Sequence, residues 1–162
     1  MIGTIISAEG SSIFEPLIAS GKVEQLADKK QIAGLKAGLE IPARDYLRAM
    51  RIRRLIQREF RKLFAGVDVL LAPSRLGIAP KIADPLDRHP DRPEPKSPGM
   101  AAIIPAGNLA GLPALSLPCG FAGKMPVGIQ LVGLPFAENT LLAVGREFQS
   151  HTDWHKRKPP GV

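Results

Sequence analysis

A single cysteine, Cys119, stands among the 162 residues, so no internal disulfide can form. Aromatic residues make up only 5% of the chain, which leaves a core to be built mainly from Ile, Leu, Val and Ala. No stretch approaches the roughly 20 uninterrupted apolar residues that cross a bilayer, and the N-terminus lacks the basic, apolar and small-residue order of a secretory signal. A disulfide scaffold and a transmembrane role are thereby excluded, and the cytoplasm is the expected compartment. Acidic residues are also short, 15 against 22 Lys and Arg, giving a net charge of +7.

That charge is local. From Arg44 to Lys62 eight cations face only Asp45 and Glu59, so this segment alone supplies +6 of the +7. The remainder is close to neutral, and the high isoelectric point describes one surface instead of a general affinity for polyanions. The abundant residues are glycine and proline, 16 of each, which mark many turns and rule out a simple helical bundle. The length suits one folding unit, residues 1–162.

Apolar residues at Ile2, Ile5, Ile6, Ile13, Phe14, Leu17 and Ile18 fall largely at helical spacing, and Gly21 is placed to end that helix. A weaker segment from Val23 to Leu39, interrupted by Gly34 and Gly38, reads as one or two short helices. The strongest helical pattern runs from about Pro42 to Phe64. Tyr46, Leu47, Met50, Ile56, Phe60, Leu63 and Phe64 form its apolar stripe, with Arg44, Arg48, Arg51, Arg58 and Lys62 on the other side.

Val67 to Ala72 suits a short buried strand ended by Pro73. Seven prolines, Pro73 included, fall in the stretch from Pro73 to Gly99, an irregular excursion of the kind that is usually functional or mobile. Ala114 to Leu117 and Val127 to Leu131 alternate on either side of a glycine-containing loop, Gly120 to Pro126, and predict two antiparallel strands. Ala137 to Gln149 returns to helical spacing through Ala137, Leu141, Val144 and Phe148.

The ordered motifs DVLLAPS (Asp68 to Ser74), NLAGLPALSLPCGF (Asn108 to Phe121), PVGIQLVGLPF (Pro126 to Phe136) and TDWH (Thr152 to His155) resemble the C-terminal region of the amidase signature family. That family includes general amidases and the A subunit of glutamyl-tRNA amidotransferase. The resemblance implies an α/β fold, with this chain forming part of a mixed sheet flanked by helices. It also implies amide-bond cleavage through a serine acyl-enzyme, in which a second serine, joined through a cis peptide, and a lysine move the protons. The lysine must be neutral to act as base, and the oxyanion needs backbone N–H donors.

The lysine segment and the GGSSGGS-type loop that carry this chemistry in the family have no counterpart here, and no catalytic residue is assigned. Gly10-Ser11-Ser12 is the one tempting match. It lies in an apolar-periodic helix, is followed by Ile13 and Phe14 instead of glycines, and has no lysine upstream, so surface serines of a helix are expected. By chain order the catalytic region would precede Met1. The A subunit of the amidotransferase places a substrate-recognising carboxylate seven residues before the asparagine equivalent to Asn108. Ala101 stands there, which favours a general amidase whose apolar pocket uses Met100, Ile103 and Ile104, with Asn108 at its edge.

Other candidates are weaker. His151 and His155 are four apart with Asp153 between them, but no third ligand is evident, and TDWH reads better as a C-terminal lock with Trp154 packed. Neither a metal nor another cofactor is expected. Cys119, before Gly120, is read as a buried small hydrophobe without a base. His89, with Asp87 and Asp91 nearby, has no role assigned. Asn108, Gly111 and Pro113 would set a tight approach between a helix end and a strand.

Two functional expectations follow. The first is a C-terminal amidase segment, inactive alone, that meets a small amide substrate only in the complete enzyme and pairs with an N-terminal amidase segment or with itself through exposed sheet edges. The alternative is a non-catalytic module that binds a partner or nucleic acid through the basic helix 42–64. The absence of interleaved aromatics and of a recognisable nucleic-acid module argues against nucleic acid.

Overall fold

The structure, a computed structural model, describes residues 1–75, 77–79 and 103–158. Most of the Pro73 to Gly99 excursion, together with Asp87, His89, Asp91, Met100 and Ala101, lies outside the described residues. Two compact units result, Met1–Arg58 and Glu59–Val162. The boundary falls within one continuous helix, Ala43–Leu63.

In the first unit the apolar periodicity at the N-terminus gives two helices instead of one. Helix α1 spans Ile2–Ile13 and ends at Phe14; α2, Glu15–Ala19, restarts with Pro16 near its first position, where a missing N–H costs nothing. Gly21 closes the pair in the left-handed conformation, as its position predicts. A short 3₁₀ turn, Lys22–Gln25, buries Val23 and leads to α3, Lys29–Gly38. Asp28 caps α3 by accepting from the Lys30 N–H at 2.8 Å. An ion pair between Lys36 and Glu24 ties the turn to the helix, and that contact holds the Glu24 carboxyl below its usual range.

Helices α1 and α3 pack closely because Gly38 has no side chain. A Cβ there would lie 2.0 Å from Ser11 Oγ and 2.5 Å from the Ser7 carbonyl oxygen. The expectation that Ser11 is a surface serine is therefore wrong: it is 0% exposed, while Ser12 faces solvent. Helical periodicity from Ile5 and Ile6 does not reveal this, because the contact is made by the smallest residue of a different helix.

Helix α4, Ala43–Leu63, begins after Pro42, whose carbonyl accepts from Asp45 and Tyr46. Its inward stripe is Tyr46, Ala49, Met50, Arg53, Ile56, Gln57, Phe60 and, just past its end, Phe64. Leu47 and Leu63, assigned to that stripe from sequence, are instead exposed. Hydrophobic type pulled them to the wrong face; the spacing of Ala49 and Arg53 identifies the right one.

The second unit is built on a three-stranded antiparallel sheet. Strand β1 is Leu70–Pro73, β2 is Ala114–Ala122 and β3 is Met125–Val132, in the order β1-β3-β2. The run Val67 to Ala72 is thus not a buried strand: Leu71 is 57% exposed, and among its strand residues only Ala72 is buried. As an edge strand it tolerates Pro73, which has no N–H to donate to a ladder. Strands β2 and β3 extend beyond the alternating cores and meet at a two-residue turn, Gly123-Lys124, where Gly123 has φ 63°. A bulge between Pro118 and Gly120 accommodates Cys119, which is half-buried rather than buried, with its Sγ 3.7 Å from the Val127 carbonyl.

Helix α5, Ile103–Ala110, leads into β2, and α6, Glu138–Ser150, follows β3. The second of these covers one face of the sheet, with Leu141 among Leu117 and Leu131, and Phe148, Leu115 and Ile129 around them. Gly145 permits the approach, since a Cβ would meet Leu115 Cδ2 at 2.7 Å. Val144, expected in this contact, is exposed.

Substitutions at the α1–α3 contact test this packing. Gly38→Ala should cost about 1–3 kcal/mol by urea denaturation, and Ser11→Ala should not rescue it, because the Ser7 carbonyl still blocks the new methyl. Ser11→Ala alone should leave stability unchanged or raise it by about 1 kcal/mol, since its buried Oγ has no hydrogen-bond partner among the described residues to lose. We further propose that the continuous α4 makes the chain one cooperative unit. Trp154 fluorescence, which reports the second unit, and far-UV circular dichroism, dominated by helices of the first, should then give coincident transitions; separated midpoints would refute it.

Candidate functional site

Helix α5 carries most of the sequence-predicted pocket residues. Ile103 and Ile104 are half-buried in its first turn, and Asn108 is exposed near its end. Gly107, Leu109 and Ala110 form its buried side. The helix ends in a double cap: the Leu112 N–H donates to the Gly107 carbonyl at 3.0 Å and the Gly111 N–H to the Asn108 carbonyl at 3.2 Å. Both bonds require left-handed backbone at Gly111, which has φ 77°. Pro113 then accepts from the Gly133 N–H at 3.1 Å, which fastens the turn to the end of β3. The tight approach of helix end and strand expected for Asn108, Gly111 and Pro113 is present, and Asn108 contributes to it through its backbone.

Alternation divides the sheet faces. Leu115, Leu117, Ile129 and Leu131 point toward α6, so Ser116 and Gln130, which are register partners, lie on the opposite face. Gly107 of α5 approaches Val132 on that same opposite face. Ser74, just past β1, joins the row: its N–H donates to the Gly128 carbonyl at 2.9 Å, and its Oγ lies 3.4 Å from Ser116 Oγ. Gly128 leaves the space, as a Cβ would come within 3.1 Å of Ser74 Oγ. Ser74, Ser116 and Gln130 are candidates that the sequence reading did not single out. The signal was available, because Ser116 and Gln130 are the polar members of alternating runs and Ser74 ends the DVLLAPS motif.

Chemically, this face offers the hydroxyls of Ser74 and Ser116 and the side-chain amide of Gln130. It can orient a polar, uncharged group by hydrogen bonds, and none of the residues just named can act as a base near neutral pH.

The first unit has an open groove of about 740 Å³ lined by Glu9, Ser12, Ile13, Leu39 and Tyr46, among others. The Tyr46 hydroxyl donates to Glu9 Oε1 at 2.9 Å, and this bond raises the phenol above its usual value. Ser12 has no lysine or histidine among the groove's lining residues to activate it. Ser11, its neighbour, is sealed beneath Gly38.

His151 pairs with Glu147 at 2.8 Å, and no group of three metal-ligating side chains occurs among the described residues. Trp154 is half-buried against the Phe121 ring, centroids 6.0 Å apart, with the Arg157 guanidinium 4.3 Å from its own centroid and paired to Asp153. This is the C-terminal lock that TDWH suggests. Among the described residues no helix is long and apolar enough to cross a membrane.

Known proteins resemble this chain in sequence and in fold. The family model described as Amidase matches residues 7–142. The A subunit of glutamyl-tRNA(Gln) amidotransferase from Dechloromonas aromatica (strain RCB) is 44% identical over 122 residues, which cover 72% of this chain and 23% of that protein. The chain therefore spans under a quarter of the length of that curated relative. A crystal structure of an amidase superposes on 92% of the chain and 34% of its own, with TM-score 0.72 and 26% identity. A bacterial aryl acylamidase of the amidase signature family superposes on 95% of the chain and 33% of its own, with TM-score 0.76 and 17% identity, which shows the fold alone.

The cap at Gly111 is open to test. Gly111→Ala should destabilise by about 1–2 kcal/mol, because an L side chain must hold left-handed backbone, whereas Asn108→Ala, which keeps the carbonyl, should leave the unfolding midpoint nearly unchanged.

Proposed function

This chain belongs to the amidase family, and we propose that it is the C-terminal segment of an amide hydrolase, contributing a wall of the substrate pocket while the nucleophile and base come from residues outside it. The family's activity is amide hydrolysis. The observation that carries the assignment of this chain's part is the state of Gly10-Ser11-Ser12. Ser11 is fully buried, its hydroxyl unbonded among the described residues, and Ser12 lies in a groove with no lysine or histidine lining it. A serine nucleophile needs an adjacent base and access to substrate, and neither serine has both.

The wall would consist of Met100, Ile103, Ile104 and Asn108, with Ser74, Ser116 and Gln130 across the sheet face. Ile103 and Ile104 would bury the apolar part of the substrate, while Asn108 would orient its amide. The Ser-Ser-Lys machinery would then act on a carbonyl presented against this wall. Water exclusion by the isoleucines strengthens each hydrogen bond to that carbonyl. Ala101, where a carboxylate recognising an ammonium group would stand, supports a substrate without a free amino group near the reacting carbonyl. The 44% identity to the A subunit of an amidotransferase supports glutamine instead. We favour the uncharged amide, because an ammonium group left without a counter-ion would have to be desolvated at a cost.

Mixing this chain with a second polypeptide carrying the lysine and the serine loop tests the assignment. Hydrolysis of an uncharged aliphatic or aryl amide should appear only in the mixture, and Ser11→Ala should leave it intact. Asn108→Ala should raise KM by about tenfold through loss of one hydrogen bond. Activity of this chain alone, or its loss in Ser11→Ala with folding preserved, would overturn the assignment; preference for glutamine would overturn the substrate class.

A further inference from the structure

The outward face of α4 is the least explained surface of the first unit. At about 100° per residue, Arg44, Leu47, Arg48, Arg51, Arg54 and Leu55 fall within a stripe roughly 120° wide. Leu47 and Leu55 are 52% and 48% exposed, and Arg44, Arg48 and Arg51 are exposed as well, with Arg54 at the stripe's edge. The stripe lies opposite the buried side formed by Tyr46, Ala49, Met50, Arg53 and Ile56. Asp45 falls to one flank of it, so no carboxylate of the helix interrupts the arginines between Arg44 and Leu55.

A helix face that only meets water usually alternates charge signs, because like charges three or four residues apart repel and opposite ones attract. Here Arg44-Arg48, Arg48-Arg51 and Arg51-Arg54 are like-charged neighbours at those spacings. The repulsion is relieved when anions are supplied from outside the helix. The two leucines decide which anion. A phosphate backbone gives an exposed leucine nothing to pack on, whereas an amphipathic protein helix offers apolar side chains flanked by carboxylates. Arginine also matches carboxylate geometry with two parallel hydrogen bonds.

We propose that the face from Arg44 to Leu55 is a docking surface for an acidic amphipathic helix of a partner polypeptide. Leu47 and Leu55, two turns apart, take the partner's apolar ridge, and the four arginines clamp glutamates or aspartates on both sides of it. The surface is about 17 Å long, the rise of some three helical turns. Its role does not depend on which amide the family chemistry acts on.

The test measures fluorescence anisotropy of a labelled helical peptide carrying glutamates four residues apart beside a leucine ridge. A scrambled peptide of the same composition and a labelled DNA duplex serve as comparisons. The ordered peptide should bind best. Arg48→Glu with Arg51→Glu should weaken it at least about tenfold, as expected for loss and reversal of complementary charge. Leu55→Gln should weaken the peptide severalfold and leave any duplex binding unchanged. Far-UV circular dichroism should be unaltered in both variants, since all three positions are exposed. Equal binding of the scrambled peptide, insensitivity to Leu55→Gln, or binding of the duplex alone would overturn the proposal. So would loss of peptide binding once the complementing catalytic segment is added, because that segment would then be the occupant.

Discussion

A strand bonded along both edges cannot slide without breaking two ladders, and Met125–Val132 is held in this way between Leu70–Pro73 and Ala114–Ala122. Because side chains alternate strictly, a slip by one residue would turn Ile129 and Leu131 away from α6 and put Gln130 into the core. The rest of the second unit depends on that register. It fixes Val132 against Gly107 of α5, brings Gly133 to the Pro113 carbonyl, and sets Gly128 beneath Ser74. The candidate wall is therefore a consequence of one strand's position, extended to α5 by the turn at Gly111.

Glycine is the second element of that design. Gly145 lets α6 approach Leu115, Gly38 lets α3 approach Ser11, and Gly128 makes room for Ser74. At each point an atom of the facing element occupies the space that a methyl group would need. Two further glycines, Gly111 and Gly123, serve through backbone conformation, with φ 77° and 63°. A chain short of aromatics has few large side chains to bridge wide gaps, so close contact between its elements replaces bulk.

What could be read from sequence follows from the same physics. Alternation in ALSL and VGIQL located β2 and β3 and their antiparallel pairing, because side-chain period two is local information. The long α4 was legible for the same reason. Contacts between elements were not: nothing near Ser11 announces that Gly38 will lie against it, and nothing in VDVLLA says that the strand will sit at an edge. Hydrophobic identity misled where it conflicted with spacing, as at Leu47 and Leu63, both taken as inward and both exposed. Asn108 was singled out for its motif, yet its carbonyl is what shapes the helix end. Ser74 and Ser116 were overlooked although they are the row's polar members.

The misassigned leucine at position 47 and the concentrated charge turn out to belong together. If Leu47 faced the interior, the outward stripe of α4 would be almost wholly arginine, a surface suited to any polyanion. With Leu47 and Leu55 outside, the same stripe combines apolar and cationic groups, and water satisfies only the cations. Exposed leucine costs little stability singly, but it adds nothing to a helix that needs only solubility. Five arginines from Arg44 to Arg54, Arg53 among them on the inward side, already supply that. The composition of the face is thus better matched to a surface that is covered than to one that is always wet.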